Sequence, residues 1–351
     1  MTDAIVVGAG QAGLATAHAL LTRGQRPVVL EAGDEPVGSW PHYYDSLHLF
    51  SPARYSALPG LTFPGDPGRY PHRDKVVDYL RTYAKSLDAD IRTGHRVTGV
   101  TYDGENFTVR VPGEATLSAP IVIAATGAFA SPHRPALPGL DRFTGTVLHS
   151  SDYRNPEAFA GQRIVVVGAG NSAVQIAVDL APYGRTTLAT RAPIQYVAQA
   201  PLGRDAHFWS TVSGFDALPI GPWLRTHPST PVLDTGAYRT AIDTGRPDQR
   251  RMFTGIDGTT LTWSDGSQEE VDTIVLATGF RPGLPYLTDL GALELSGAPR
   301  QRRGLSTTHP GLGYVGLEWQ RSFSSATIRG VGRDAAYVVR RLHQETARSR
   351  R

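Results

Sequence analysis

The sequence predicts an α/β protein built on two parallel β-sheets, each covered by helices. Two segments lead to this prediction, because each places an apolar run of strand length before a glycine-rich turn and a helix-compatible stretch after it. Parallel strands need such a helical crossover, so this order favours a parallel sheet. The strand, helix and strand are Ala4 to Val7, Ala12 to Arg23 and Pro27 to Glu31 in the first segment, and Arg163 to Val167, Ser172 to Leu180 and Thr186 to Thr190 in the second.

The two segments are expected to belong to separate domains. Their glycine turns begin at Gly8 and Gly168, 160 positions apart, which is too far for a short structural repeat. With 351 residues, the chain has room for two domains of ordinary size. Two further strand-like runs, Ile121 to Ala125 and Thr273 to Ala277, also precede glycine-containing turns.

Composition limits the classes of function. The chain is 40% hydrophobic and 19% charged with a net charge of +3, which is typical of a globular protein. Basic residues cluster only at the end, at Arg340-Arg341 and Arg348 to Arg351, and such a tail is usually solvated, so we expect no nucleic-acid partner. No apolar stretch is long enough to cross a bilayer, and Met1 to Asp3 form no charged leader. We therefore expect a cytoplasmic protein with no membrane partner.

The chain contains no cysteine. This absence excludes structural disulfides, thiolate zinc sites, iron–sulfur clusters and redox-active cysteine pairs. It also removes the enzymes that reduce disulfides through a cysteine pair of their own.

The first glycine-rich turn has the spacing of a dinucleotide-binding motif. In this run the glycine at Gly8 permits a tight turn, Gly10 lets the backbone approach a pyrophosphate, and Gly13 lets helix and strand pack closely. The pyrophosphate would lie on the free N–H groups at the helix N-terminus. Glu31 ends the next strand, where a carboxylate can accept both ribose hydroxyls. The residues assigned to this site are Gly8, Gly10, Gln11, Ala12, Gly13 and Glu31.

The second turn repeats the motif but ends its second strand in a base. Arg191 follows the last small residue of the turn by 18 positions, the same distance that separates Glu31 from Gly13. A carboxylate there suits a free 2′-hydroxyl, whereas a guanidinium offers charge-assisted donors to a 2′-phosphate. We therefore expect FAD in the first site and NADPH in the second, with hydride transfer between them. The residues assigned to the second site are Gly168, Gly170, Asn171, Ser172 and Arg191, with Arg185 as a candidate helper.

Other motifs resemble those of the class B flavin-dependent monooxygenases. Phe143 to Tyr153 fits F-x-G-x-x-x-H-x-x-x-Y, the fingerprint of the flavin-containing and N-hydroxylating monooxygenases. Ala277 to Phe280 resembles the A-T-G-Y/F motif of the same group, and Ala125 to Gly127 is similar to it. Tyr153 stands where Baeyer–Villiger enzymes carry tryptophan, which disfavours oxygenation of a ketone. With both glycine motifs in order, the resemblance spans nearly the whole chain.

The resemblance implies a domain order and further cofactor contacts. It implies two Rossmann-like dinucleotide-binding domains with three-layer sheets, the NADPH domain being inserted in the FAD domain. The FAD domain would comprise 1–155 and 277–351, and the NADPH domain 156–276, with a loop-rich insertion at 192–248. In this family His149 lies in an interdomain connector, so we favour a structural role for it. The additional residues expected at FAD are Trp40, Val97, Ala125, Gly127, Gly316 and Leu317, and those expected at NADPH are Thr278 and Gly279.

The resemblance also implies a mechanism. In such enzymes NADPH reduces FAD, dioxygen adds at the flavin C4a carbon, and the C4a-hydroperoxyflavin oxygenates a soft nucleophile on a small-molecule substrate. This chemistry needs little acid–base help, so we expect neither a catalytic triad nor a metal. A helix starting within Ser324 to Asp334 would bring its N-terminus to the pyrimidine edge of the flavin and stabilise the anionic reduced form.

The segment from Gly38 to Gly60 is similar to the flavin-facing loop of plant YUCCA-type and bacterial CzcO-like monooxygenases. Animal-type members carry an asparagine in this loop near flavin C4a, whereas Phe50 and Ser51 occupy that neighbourhood here. Ser51 either replaces one hydrogen bond of that asparagine or is an ordinary turn residue before Pro52. The same segment resembles compact monooxygenases of arsenic-resistance operons. The substrate atom that is oxygenated could therefore be nitrogen, sulfur or trivalent arsenic.

Three other functions stay open. An NADPH–flavin reductase that passes electrons to a partner protein shares both glycine motifs, although the fingerprint at 143–153 argues against it. Baeyer–Villiger oxygenation of a ketone is the second alternative, and a flavin redox sensor without turnover is the third. The sequence does not identify the substrate, and among oligomeric states a homodimer is one expectation.

Overall fold

The computed structural model of the protein describes residues 2–224 and 231–349 as helices and short strands arranged around two sheets. Both kinds of element are numbered here in chain order. The α-helices are α1 Gln11–Leu21, α2 Arg73–Ser86, α3 Asn171–Leu180, α4 Ala206–Val212, α5 Ala237–Asp243 and α6 Ile328–Ser349. The strands are β1 Ala4–Val7, β2 Pro27–Leu30, β3 Asp90–Arg92, β4 Gly99–Tyr102, β5 Phe107–Arg110, β6 Leu117–Ala119, β7 Val122–Ala124, β8 Thr146–His149, β9 Arg163–Val167, β10 Arg185–Thr190, β11 Tyr196–Ala198, β12 Val232–Asp234, β13 Asp248–Arg251, β14 Gly255–Asp257, β15 Thr260–Thr262, β16 Gln268–Glu270, β17 Thr273–Leu276, β18 Gln301–Arg302, β19 Leu305–Ser306 and β20 Leu312–Tyr314.

The first sheet has seven strands in the order β18, β19, β20, β7, β1, β2, β3. The strands from β20 to β3 run parallel, and β18 and β19 form an antiparallel edge. Helices α1, α2 and α6 cover one face, where Leu14, Val76 and Val338 are buried in one cluster with Val6. The antiparallel sheet β4–β5–β6 covers the other face through Phe107. The first domain therefore has three layers.

The second sheet has five parallel strands in the order β13, β10, β9, β17, β8. Helices α3 and α5 cover one face, where Val174 and Ile242 are buried in one cluster with Val166. The antiparallel sheet β14–β15–β16 covers the other face, where Leu261 and Trp263 are buried. The predicted α/β class with two Rossmann-like, three-layer units is confirmed.

The elements around the two glycine turns lie close to their predicted positions. Strand β9 has the predicted bounds, and helices α1 and α3 each begin one residue earlier than predicted. The small antiparallel sheets were not predicted, because strands such as β6 and β16 have three residues and no apolar run. The insertion at 192–248 is more regular than predicted, since it contains β11, β12, α4 and α5. Residues 225–230 of the insertion lie outside the described residues.

The strand β8 belongs to the second sheet. It pairs in parallel with β17, from Thr146 opposite Thr273 to His149 opposite Leu276. The sequence assigned residues 1–155 to the first domain, so this pairing places part of that range in the second domain. We propose that the domain boundary lies between β7 and β8, and that the fingerprint at 143–153 includes an edge strand of the second sheet.

The C-terminal helix packs back on the first domain. Helix α6 lies against α1, and its residues Val331, Ala335 and Leu342 are buried in the cluster that contains Leu14. Of the predicted basic tail, Arg340 and Arg341 lie on the exposed side of α6, while Arg350 and Arg351 lie outside the described residues. No helix within residues 2–224 and 231–349 combines the length and the apolar character needed to span a bilayer.

A buried ion pair links strands of the second domain. The Arg163 guanidinium donates to both Glu269 carboxylate oxygens, at 2.9 and 2.6 Å, and to the Thr187 hydroxyl at 2.8 Å. The Glu269 carboxylate also accepts the indole N–H of Trp263 at 2.6 Å. The side chains of Arg163 and Glu269 are 10% and 14% exposed. Loss of Arg163 would leave a buried carboxylate whose remaining cations, Arg250 and Arg185, lie 3.6 and 3.8 Å away.

We expect Arg163→Met to lower the free energy of unfolding by about 3 kcal/mol, because the buried Glu269 carboxylate loses both hydrogen bonds from its nearest cation. Urea unfolding followed by tryptophan fluorescence measures this change. Arg185→Met is the matched control, since the Arg185 side chain is 80% exposed and lies 3.8 Å from the same carboxylate. Equal losses in the two variants would show that burial of the ion pair does not matter.

Candidate functional site

The carboxyl ends of the parallel strands form one edge in each sheet, and the predicted cofactor residues lie along these edges. In the first sheet Gly8 follows β1, Ala125 follows β7, and Gly316 lies two residues after β20. In the second sheet Gly168 follows β9, Arg191 follows β10, and Thr278 lies two residues after β17. Ligands of open parallel sheets bind at this edge, so the fold brings the predicted residues of each site to one crevice.

Each crevice contains a helix N-terminus that the protein leaves uncapped. Helix α1 begins after Gly10 and helix α3 after Gly170, and neither has a side-chain cap or an acidic residue in its first turn. The free backbone N–H groups and the helix dipole therefore favour a bound anion at both positions. This arrangement fits the pyrophosphate of a dinucleotide in each domain.

The two glycine turns are closed by the same steric constraint. A Cβ atom on Gly8 would lie 2.7 Å from the Ala125 carbonyl oxygen, and one on Gly168 would lie 2.4 Å from the Ala277 carbonyl oxygen. Gly8 has φ +101° and Gly168 has φ +148°, a region that favours glycine. A Cβ on Gly13 would lie 1.7 Å from the Gly8 carbonyl oxygen, so close helix–strand packing requires a glycine there.

Glu31 is held at the mouth of the first crevice by backbone donors. Its Oε2 accepts the Ala9 N–H at 2.6 Å and its Oε1 accepts the Gly33 N–H at 2.8 Å. The residue is 9% exposed. Each carboxylate oxygen keeps a further lone pair, so the Glu31 carboxylate can still accept ribose hydroxyls.

The other predicted FAD residues lie around the same turn. The Trp40 indole donates to the Gln11 side-chain oxygen at 2.9 Å, which links the segment after β2 to the start of α1. A Cβ on Gly316 would lie 2.8 Å from the Ala12 Cβ, so the segment after β20 passes directly over the helix start. Val97 and Leu317 are half-buried against the core on the β4–β6 side of the sheet. Gly127 has φ +66° in the turn after β7.

The second crevice differs in what its predicted residues contact. The Asn171 amide donates to the Pro231 carbonyl at 3.2 Å and accepts the Leu233 N–H at 3.3 Å, so it anchors strand β12. Ser172 lies beside the Tyr44 hydroxyl of the first domain. Arg191 is exposed, and no acidic partner is found for it among the residues that the structure describes. Its guanidinium is therefore free to meet a phosphate.

Arg185 does not belong to the second crevice. It is the first residue of β10, whereas Arg191 follows the last, so the two arginines lie at opposite ends of the strand. The nearest acid to Arg185 is Glu269, at 3.8 Å. The prediction that Arg185 helps Arg191 to bind the nucleotide is therefore wrong. The sequence alone does not indicate at which end of β10 the nucleotide binds.

Each of the two A-T-G segments pairs with the chain that follows the other one. The Gly279 carbonyl accepts the His133 N–H at 2.9 Å, and the Gly127 carbonyl accepts the Gly283 N–H at 3.0 Å. The Thr126 hydroxyl donates to the Gly283 carbonyl at 2.8 Å, and the Thr278 hydroxyl donates to the His133 carbonyl. The two chain segments that pass between the domains, called here the crossings, thus lie side by side.

His149 connects the fingerprint strand to this crossing. Its Nε2 lies 3.0 Å from the Gly279 carbonyl oxygen and its Nδ1 lies 3.1 Å from the Ser151 hydroxyl. Burial lowers the pKa of His149, which favours the neutral ring that donates one hydrogen bond and accepts another. Both ring nitrogens have protein partners, so these contacts favour a structural role over general acid catalysis.

Tyr153, at the end of the fingerprint, packs at the domain boundary. The residue is fully buried, its hydroxyl donates to Asp179 of α3 at 2.7 Å, and its ring lies 6.1 Å from that of Tyr44. The Tyr44 hydroxyl donates in turn to Gln175 of α3. A tyrosine at position 153 thus fixes the loop after β2 against the second domain.

Ser51 is buried and its hydroxyl lies 2.9 Å from that of Ser56. The Ser56 hydroxyl also approaches the Ser51 and Pro52 carbonyl oxygens, at 3.1 and 2.9 Å. These contacts close a tight turn at Pro52, which favours the turn interpretation of Ser51 over a catalytic one. No group of three or more His, Asp or Glu side chains that could hold a metal ion occurs in residues 2–224 and 231–349.

Two carboxylates of the insertion, the half-buried Asp205 and the buried Asp216, were not singled out by the sequence. Asp205 contacts Tyr70 and Gln199, and the same Gln199 amide donates to the Phe50 carbonyl at 3.1 Å. Asp216 pairs with two arginines of α6. No spacing rule joins residues that are so far apart in sequence, although an acidic residue in an otherwise apolar, loop-rich stretch is itself a weak signal.

Comparison with known proteins identifies relatives over the whole chain. Residues 5–199 match the family described as pyridine nucleotide-disulphide oxidoreductase. The chain is 32% identical to the uncharacterized oxidoreductase CzcO of Bacillus subtilis, over 98% of this chain and 100% of that one. It is 30% identical to the indole-3-pyruvate monooxygenase YUCCA1 of Oryza sativa, over 97% and 91% of the two chains. The structure of a flavin-containing monooxygenase from Stenotrophomonas maltophilia superposes with a TM-score of 0.86, 30% identity and 98% coverage of both chains.

We expect Glu31→Ala to weaken FAD binding by about 10- to 100-fold, because charge-assisted hydrogen bonds are worth about 1.5–3 kcal/mol. Equilibrium dialysis of the flavin measures this change. NADPH binding should be unaffected, since Glu31 lies in the other crevice. Full retention of FAD would mean that the first crevice is wrongly assigned.

We expect Arg191→Ala to weaken NADPH binding by at least about tenfold and to leave NADH binding unchanged, because the lost contact is to the 2′-phosphate. The ratio of kcat/KM values for the two coenzymes measures this selectivity. Arg185→Ala removes an exposed arginine from the other end of β10 and should change neither value. An equal loss for both coenzymes in Arg191→Ala would contradict the role of Arg191.

Proposed function

The chain belongs to the pyridine nucleotide-disulphide oxidoreductase family and is a flavin-dependent monooxygenase; from that premise we propose that it oxygenates a soft nucleophilic atom of a small molecule. The observation that supports this proposal is the contrast between the two crevices. An acid, Glu31, follows the second strand of one crevice, and a base, Arg191, follows that of the other. This difference sorts FAD from NADPH so that electrons can pass between them.

The residues of the chain bind and orient the two cofactors. The N–H groups at the starts of α1 and α3 would hold the two pyrophosphates, Glu31 the ribose of FAD, and Arg191 the 2′-phosphate of NADPH. When bound, NADPH supplies the hydride and FAD supplies the activation of dioxygen. The paired crossings at Gly127 and Gly279 would fix the distance between the domains, and therefore between the cofactors.

The proposed substrate atom is nitrogen or sulfur in a small molecule. Tyr153, rather than tryptophan, at the end of the fingerprint disfavours a ketone. The engagement of both ring nitrogens of His149 leaves that histidine without a free position for proton transfer. A lone pair that attacks oxygen directly needs no such transfer. Trivalent arsenic also has an oxidisable lone pair, so it stays a substrate hypothesis within this proposal. A cytoplasmic location is likewise part of the proposal.

We expect NADPH oxidation by the FAD-loaded protein to yield an oxygenated product with at least one substrate class. The screen contains a thioether, a tertiary amine, trivalent arsenite, a cyclic ketone and indole-3-pyruvate, the compound for which the rice relative is named. Product, hydrogen peroxide and NADPH are measured together, because a monooxygenase forms one product molecule for each NADPH that is not lost to peroxide.

Three outcomes would contradict the proposal. Peroxide equal to NADPH with every substrate, accompanied by rapid electron transfer to an added acceptor protein, would indicate a reductase. Flavin that binds NADPH but is not reduced by it would indicate a sensor. Product from the ketone alone would replace nitrogen or sulfur oxygenation by the Baeyer–Villiger reaction.

A further inference from the structure

The segment 199–223 of the insertion, called here the lid segment, is held to the rest of the protein in an unusual way. It contributes no residue to any of the four hydrophobic clusters found in the described part of the chain. Most of its large apolar side chains are instead exposed, with Leu202 at 89% and Val212 at 67%. The others in this exposed group are Trp209, Phe215, Leu218 and Trp223. One apolar contact, between the Phe215 and Phe323 rings at 5.7 Å, joins the lid segment to the chain before α6, and its other contacts there are mainly polar.

The first polar contact joins the lid segment to the start of α6. The Asp216 carboxylate is 4% exposed and accepts three hydrogen bonds from the Arg329 guanidinium, at 2.9 to 3.2 Å. Arg333 donates to the same carboxylate at 3.0 Å, and the Ser324 hydroxyl donates to the Asp216 carbonyl at 2.7 Å. Burial would raise the pKa of Asp216, but the two arginines outweigh it and lower the pKa.

This contact also matters for α6 itself. Arg329 lies in the first turn of the helix, where the helix dipole disfavours a cation, and its side chain is 8% exposed. The Asp216 carboxylate supplies the opposite charge at that position. Removal of the carboxylate would leave a buried guanidinium at the positive end of a helix, so the Asp216–Arg329 pair should be strongly coupled.

The second polar contact joins the lid segment to the loop that contains Ser51. The Asp205 carboxylate accepts the Tyr70 hydroxyl, the Gln199 amide at 3.0 Å, and the N–H and ring Nδ1 of His207, both at 2.8 Å. Burial would raise the pKa of Asp205, but the hydrogen bonds from His207, Tyr70 and Gln199 hold it at about 2. The His207 ring stacks near Phe50, with the ring centroids 6.0 Å apart.

A third contact is steric. The Gly221 N–H donates to the Arg321 carbonyl at 2.9 Å, and a Cβ atom on Gly221 would lie 1.8 Å from the Trp319 carbonyl oxygen. Trp319 has φ +52°, a rare conformation for a bulky residue. The lid segment therefore lies in direct backbone contact with the chain that follows Gly316 and Leu317.

The contacts end on the two parts of the first domain that were expected to face the flavin. Asp205 and Gln199 reach the Phe50 turn, whereas Asp216 and Gly221 reach the segment from Trp319 to Arg333. The lid segment thus bridges these two parts, although both of its ends connect to the second domain. A segment fixed mainly by charged and polar groups rather than by an apolar core can detach without exposing a core.

We propose that residues 199–223 form a lid over the flavin site and that Asp205 and Asp216 are the positioning residues that hold it closed. This inference rests on the proposed function for the identity of the site beneath the lid. Closure would exclude water and retain the substrate while oxygen is transferred, and release of the two carboxylates would admit substrate and free product. The function of the two aspartates is therefore to position the lid and not to take part in the chemistry.

The test is amide hydrogen exchange of the FAD-loaded protein, which needs no substrate. We expect Asp216→Asn and Asp205→Asn each to speed exchange in 199–223 by about tenfold or more, while α1 and α3 keep their protection. Gly221→Ala changes no charge and should have the same effect, because its new methyl group pushes the lid from Trp319. Asp243→Asn, an exposed acid of the same insertion at the end of α5, is the matched control and should change nothing.

A second measurement separates the lid from general destabilisation. The double variant Asp216→Asn/Arg329→Met should exchange no faster than Asp216→Asn alone, because both changes remove the same contact. In the substrate screen, the two aspartate variants should lose a larger share of NADPH to peroxide while their flavin content stays unchanged. Unchanged exchange in both aspartate variants would overturn the lid, whatever the enzyme oxidises. Faster exchange in a protein that forms no product would support the lid and contradict the proposed function.

Discussion

The structure depends on two helix N-termini that have no cap of their own. Helices α1 and α3 each begin after a glycine, with free N–H groups directed at the carboxyl edge of a parallel sheet. Without a cap, water or a polar ligand satisfies these groups, and an anion satisfies them best. The glycines that permit this arrangement are fixed by contact with a neighbouring strand, since Gly8 lies against the Ala125 carbonyl and Gly168 against that of Ala277. The repeated A-T-G motif follows from this constraint, because in both domains its alanine supplies the carbonyl that closes the turn.

The same motif also joins the two domains. After each alanine the chain leaves its sheet, and the two departing segments bond to each other through Gly127 and Gly279. His149 adds a bond from the fingerprint strand to the Gly279 carbonyl. Three motifs, one of them more than a hundred residues from the other two, thus meet at one crossing. Their residues are explained by the geometry of this crossing without any contact to a substrate.

The part of the fold that the sequence predicts best is the part with local causes. An apolar run followed by a glycine turn defines β1, β9 and their helices, because turn and helix start are set by adjacent residues. The residues Glu31 and Arg191 follow from the same periodicity. The pairing of strand β8 with the second sheet did not follow from adjacent residues, since its partner β17 lies more than a hundred positions later. The catalytic interpretation of Ser51 is disfavoured for a similar reason. A serine before a proline looks the same in the sequence whether its hydroxyl faces a flavin or closes a turn. The contact between Ser51 and Ser56 indicates the turn.

The polar anchors of the lid segment show why the remainder of the site escapes prediction. Asp216 and Arg329 are 113 positions apart, and each alone resembles a solvated surface charge. Only folding brings them into a buried site, where the attraction must offset the desolvation of both groups. A hydrophobic contact of the same size would hold the segment without that cost. A charged contact is more suitable for a segment that must open, because water can solvate both charges once they separate, whereas an exposed apolar face would favour aggregation.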